Sequence, residues 1–150
     1  MNTIKHPLWT KVSADFKIQP DRVWEAITLP QMTEQYMYNC QLHADWKVGG
    51  KAVWKAQSSN GSWHDHVKAE IIILCPNEHL GFKVFHEATE CHPEVCSELH
   101  YRIELFNKVT RLTIQQGDFQ FITGGEDRYN SCQQGWDFVF PKLIQLLKTD

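Results

Sequence analysis

Histidine and cysteine carry the most obvious chemistry in this chain of 150 residues. His64 and His66 stand two apart, the spacing of neighbours on one face of a strand. His86, Cys91, His92, Cys96 and His100 crowd a second short stretch. Thiolate with imidazole is a zinc ligand set, but a structural zinc wants four converging donors at short spacings. Strand parity puts His64 and His66 on a face shared with Lys68 and Glu70, the solvent side, with no third ligand. The same parity sends His100 outward beside Arg102 and Glu104, opposite to His86. Pro93 stiffens the segment between Cys91 and Cys96. The expectation is no bound metal, no cofactor and free thiols.

Nucleophilic and phosphate chemistry find no motif. There is no GxSxG elbow, no glycine loop to cradle phosphates and no HExxH. Cys40, Cys75, Cys91, Cys96 and Cys132 make an odd count without CxxC spacing. Without an apolar leader in Met1–Pro7, this reads as reduced cysteines and a cytoplasmic address. The longest apolar run, Ile71 to Cys75, is far short of a membrane span. The net charge of −3 comes from scattered charges. With no basic stripe to displace counterions, sequence-independent nucleic-acid binding is not expected.

Aromatic side chains are the larger resource, with six tryptophans and eight phenylalanines. Parity along the apolar strands points Trp54, Trp63, Phe82, Tyr101 and Ile114 inward, and carries His86 and Gln116 inward near strand ends. A helical face with Cys132 and Trp136 should meet them. An apolar cavity with a few placed polar groups is the usual form of a small-molecule site. The expected ligand-binding set is therefore Trp54, Trp63, Phe82, His86, Tyr101, Gln116, Cys132 and Trp136. The alternative is that these side chains simply fill a core. His86 with Tyr101 could also act as an acid–base pair.

The elements that position these residues follow from periodicity. Val12, Ala14, Phe16 and Ile18 alternate with polar residues, as in a half-buried strand. Pro20 opens a helix where no amide donor is needed, Asp21 favours its positive end, and Leu29-Pro30 stops it. A second short helix is expected from Gln31 to Tyr38. Alternation returns with Val48, Gly50, Ala52, Trp54 and Ala56, then Trp63, Val67, Ala69, Ile71 and Ile73. Asn60-Gly61 between them reads as a tight turn with both residues at positive φ. Strands through Leu80–Val84, Leu99–Leu105 and Leu112–Ile114 follow, with turns at Pro76-Asn77 and Asn107-Lys108.

From about Arg128 to Leu147 the period becomes helical through Cys132, Trp136, Val139, Leu143, Leu146 and Leu147. Pro141 should kink this helix, and Gly135 should let it approach the sheet. One strand, two short helices, five strands and a long helix make an α+β domain spanning 1–150. Its antiparallel sheet must cover its inner face with the long C-terminal helix.

That order, with Gln19–Pro30, Asp45–Lys51, Val67–Leu80, Thr110–Ile114 and Gly135-Trp136, resembles the START-like helix-grip (SRPBCC) superfamily. Within it the chain is similar to the family named for the C-terminal domain of the heat-shock-protein-90 ATPase activator. Phe138, Phe140 and Pro141 replace a leucine-rich closing helix, and Cys91–Cys96 has no counterpart. The resemblance implies a curved antiparallel sheet wrapped around the C-terminal helix, with a hydrophobic cavity beneath it. It implies a small hydrophobic molecule as partner, in a superfamily that includes lipid carriers, hormone receptors and polyketide cyclases. Binding without catalysis is the preferred reading. A cyclase- or hydrolase-like enzyme, a co-chaperone-like interaction module and a homodimer remain open alternatives. Exposed Phe138 and Phe140 would favour the interaction module.

Overall fold

The computed structural model describes residues 7–85 and 96–148. Among these, seven strands are present: β1 (Thr10–Phe16), β2 (Gln41–Ala44), β3 (Lys51–Gln57), β4 (Trp63–Cys75), β5 (His79–Phe85), β6 (Cys96–Phe106) and β7 (Val109–Gly117). Helices α1 (Pro20–Thr28) and α2 (Pro30–Thr33) follow β1, and α3 (Gly125–Lys148) ends the described chain. The strands form one curved antiparallel sheet in the order β1-β7-β6-β5-β4-β3-β2. This is the α+β helix-grip architecture expected. No helix among the described residues is long and apolar enough to cross a membrane.

Local sequence explains the helices. Pro20 occupies the first turn of α1 with Asp21, and Val23, Ala26 and Ile27 bury one face at i, i+3, i+4 spacing. Leu29 is extended ahead of Pro30, whose ring disfavours helix at the residue before it. In α3, Trp136, Val139, Phe140, Leu143 and Leu147 are buried in the common core. A Cβ on Gly125 would lie 1.8 Å from the Phe119 carbonyl oxygen, so only glycine lets α3 start against the 3-10 turn Phe119–Phe121. The helix is continuous across Pro141. Pro141 and Asp137 are both exposed, so water can replace the amide that proline lacks.

Several expectations are corrected. The chain has β2 before β3, and this edge strand pairs Leu42 with Trp54. Four residues with one fully buried apolar side chain carry no periodic signal. Val48 lies in the preceding loop, 66% exposed. Helix α2 is a single turn, and the chain reaches positive φ at Tyr38 and Asn39. At the β3–β4 turn only Gly61 has positive φ. Asn60 instead accepts from the Ser62 amide through its side chain, and Ser58 and Ser62 close a three-residue loop.

The main departure is in β4, which carries two bulges. Trp54 pairs with Val67 but Lys55 pairs with Asp65, so His66 is an extra residue. Ile71 pairs with Phe82 but Ile73 with Gly81, so Ile72 is extra. Each insertion swaps the faces beyond it. Trp63 therefore stands beside Gln57 on the outer face, and Leu74, not Ile73, returns to the core.

Candidate functional site

An open pocket of about 400 Å³ lies between α3 and the sheet. Strands supply Trp54, His66, Val67, Val84, Phe85, Leu99 and Gln116. The segment after α2 supplies Met37 and Tyr38, and α3 supplies Arg128, Cys132, Gly135, Trp136 and Val139. The α3 residues fall at i, i+4, i+7, i+8 and i+11, one helical face.

Four of the expected ligand-binding residues line this pocket: Trp54, Gln116, Cys132 and Trp136. Phe82 and Tyr101 do not, being fully buried behind it. They join the walls in an edge-to-face chain. Trp54 and Phe82 centroids are 4.9 Å apart, Phe82 and Tyr101 6.3 Å, and Tyr101 and Trp136 6.1 Å. Interplanar angles of 67°, 83° and 81° set ring edges against ring faces, the favoured quadrupole arrangement. Trp63 is excluded by the His66 bulge. It is 46% exposed, with the Lys55 ammonium 5.3 Å from its ring centre. His86 lies outside the described residues, as do Cys91 and His92.

Gln116 is the polar centre of the wall. It sits opposite Leu99 on β6 and Thr10 on β1. Its Oε1 accepts from Trp136 Nε1 at 3.1 Å and Cys132 Sγ at 3.2 Å, while Nε2 donates to Ser97 Oγ at 2.9 Å. Indole nitrogen can only donate, so the amide orientation is fixed. Burial pushes the Cys132 thiol up to about 11, against bonds to Thr10 and Trp136. Burial likewise raises the Tyr101 phenol. Neither group is poised for proton transfer near neutral pH.

Sequence reasoning missed Tyr38, His66, Arg128 and Gly135. Arg128, Gly135 and Val139 were within reach of helical spacing counted from Cys132. His66 required the bulge, and Tyr38 a left-handed backbone with φ of 51°. Gly135 does not serve close approach to the sheet, because a Cβ there would meet only Tyr38 Oη, at 3.5 Å. Phe140 is buried, whereas Phe138 is 47% exposed and packs on Tyr38 at 5.6 Å with Lys142 above it.

On the outer face, His100 points away from the pocket as parity requires, yet it is only 6% exposed. Trp9 lies against it at 6.1 Å, and Gly81 opposite leaves room for its ring. Its Nε2 bonds Glu98 Oε1 and its Nδ1 bonds His79 Nε2, both at 2.9 Å. No group of three or more His, Cys, Asp or Glu side chains among the described residues could hold a metal ion.

Residues 17–148 match the family described as Activator of Hsp90 ATPase homolog 1-like protein. The chain belongs to that family. No curated protein matches the sequence. Among solved structures, the protein MLL2253 from Mesorhizobium loti superposes with a TM-score of 0.72 at 20% identity, covering 94% of this chain and 97% of that one. CalU16 from Micromonospora echinospora gives 0.70 at 16%, covering 91% and 74%. The Aha1 dimer from Colwellia psychrerythraea gives 0.68 at 16%, covering 93% and 95%. At these identities the likeness is one of fold.

Proposed function

We propose that the chain binds a small, largely apolar molecule in the pocket between the sheet and α3, without transforming it. The observation that carries this reading is the wall itself: Trp54, Val67, Val84, Leu99, Trp136 and Val139 surround space of about 400 Å³, with Gln116 as a fixed polar group. Pockets of this size and composition suit small organic ligands. An enzymatic reading would need a group that exchanges protons near neutral pH. Burial holds Cys132 and Tyr101 protonated, which leaves His66 as the described lining residue on which an enzymatic reading would rest.

An apolar fluorescent probe such as 1-anilinonaphthalene-8-sulfonate tests the proposal. Binding is expected with a dissociation constant on the order of micromolar, about −8 kcal/mol. It should disappear in Gly135→Phe, whose ring would enter the pocket without displacing backbone. Equal binding to a folded Gly135→Phe would overturn the proposal.

A further inference from the structure

The pocket wall carries donors with hydrogens to spare, and the amide acceptor among them is already full. Gln116 Oε1 has two lone pairs, and Trp136 Nε1 and Cys132 Sγ occupy both. Gln116 Nε2 carries a second hydrogen beyond the one given to Ser97. Arg128 borders the pocket from the first turn of α3. Its Nε donates to the Thr123 carbonyl at 3.3 Å, which anchors the guanidinium and leaves four N–H groups on the two terminal nitrogens. Among the described residues, no aspartate or glutamate lines the pocket. Tyr38 and His66, the remaining polar side chains of the lining, can each donate or accept and so suit an anion as well as a neutral group.

We infer that the occupant is an apolar anion: a compact aromatic or aliphatic body bearing one carboxylate, held by Arg128 and the Gln116 amide. This rests on the pocket reading above and names the chemical class that fills it. A cationic ligand would bring its charge next to a guanidinium with no carboxylate among the described lining residues to offset it. A carboxylate instead meets the planar fork that suits it best. The apolar body would rest on Trp54, Leu99 and Val139.

Isothermal titration of the full chain with 1-naphthylacetic acid, 1-naphthylacetamide and 1-(1-naphthyl)ethylamine tests the assignment at constant ring size. The acid should bind about tenfold more tightly than the amide, the scale of one charge-assisted hydrogen bond, and the amine should bind weakest. Arg128→Gln should erase the acid's lead over the amide, with circular dichroism confirming that the variant is folded. Arg128→Lys should keep part of that lead, and added salt should narrow it. Equal binding of acid and amide, a preference for the amine, or a lead that survives Arg128→Gln overturns the anion assignment alone. If none of the three binds, the pocket reading falls and the anion assignment with it.

Discussion

Trp136 Nε1 donates to Gln116 Oε1 at 3.1 Å, joining the longest helix to the last strand through two buried side chains. Ser97 on β6 and Cys132 on α3 hold two further positions of the same amide. A buried amide satisfied on all these sides fixes the spacing of helix and sheet, and therefore the width of the pocket.

Removing that amide leaves its donors stranded. Gln116→Leu should lower unfolding free energy by about 1–3 kcal/mol, because the indole N–H loses its acceptor in a buried site. Urea unfolding followed by tryptophan fluorescence measures it. An unchanged midpoint would mean that water replaces the amide without loss.

Gly135 lies mid-helix with open space above it, so its two substitutions should separate stability from binding. Gly135→Ala should stabilise by about 0.5–1 kcal/mol through helix propensity, since its Cβ makes only an ordinary contact with Tyr38. A melting temperature that falls would show that the helix needs glycine there for a reason the contacts do not reveal.

The bulge at His66 predicts opposite outcomes for two tryptophans of one hairpin. Trp54 is 4% exposed, and Trp54→Ala should cost about 3–5 kcal/mol. Trp63 is 46% exposed on the outer face, and Trp63→Ala should stay within about 0.5 kcal/mol of the parent. Comparable losses in chemical denaturation would contradict the register.

Desolvation, then the Arg102 and His100 charges, hold the His79 imidazole below its ordinary value of 6.5. The unfolded chain therefore takes up that proton more readily. The stabilisation is complete above pH of about 6.5 and is lost as pH falls below it through the folded value. Melting temperature should drop between pH 7.5 and 5.5 more steeply for the parent than for His79→Gln. Glu98 and His100 are kept in both proteins, so the difference reports on His79 together with its coupling to His100. Parallel curves would refute the assignment.

Cysteine labelling should be strongly ordered. Cys75 is exposed, whereas Cys40 is buried and Cys132 has its thiol pushed up to about 11. At pH 8 a thiol raised in this way is mostly protonated, and the thiolate is the reactive form. Iodoacetamide with peptide mass spectrometry should modify Cys75 first and Cys132 much more slowly. Alkylation of Cys132 as early as Cys75 would contradict the raised thiol.

The sequence by itself determined the elements whose signals are local. Pro20 with Asp21 starts α1, and Trp136, Val139, Leu143 and Leu147 share a helical face. Unbroken alternation correctly turned Phe82, Leu99, Tyr101 and Gln116 inward, because parity survives wherever two strands pair without insertion. Their order along the chain, with the words resembling the family, was enough for the helix-grip fold. Only the tertiary structure decided which inward residues face space and which face one another. Phe82 and Tyr101 pack behind the wall, edge to face with Trp54 and Trp136, a relation between residues far apart in sequence. It also decided the fate of β4. A bulge is set by the register against the partner strand, and one extra residue at His66 sends Trp63 to the outside and His66 to the pocket. Gln116 gained its role the same way, because its partners come from β1, β6 and α3, and no spacing within β7 announces them.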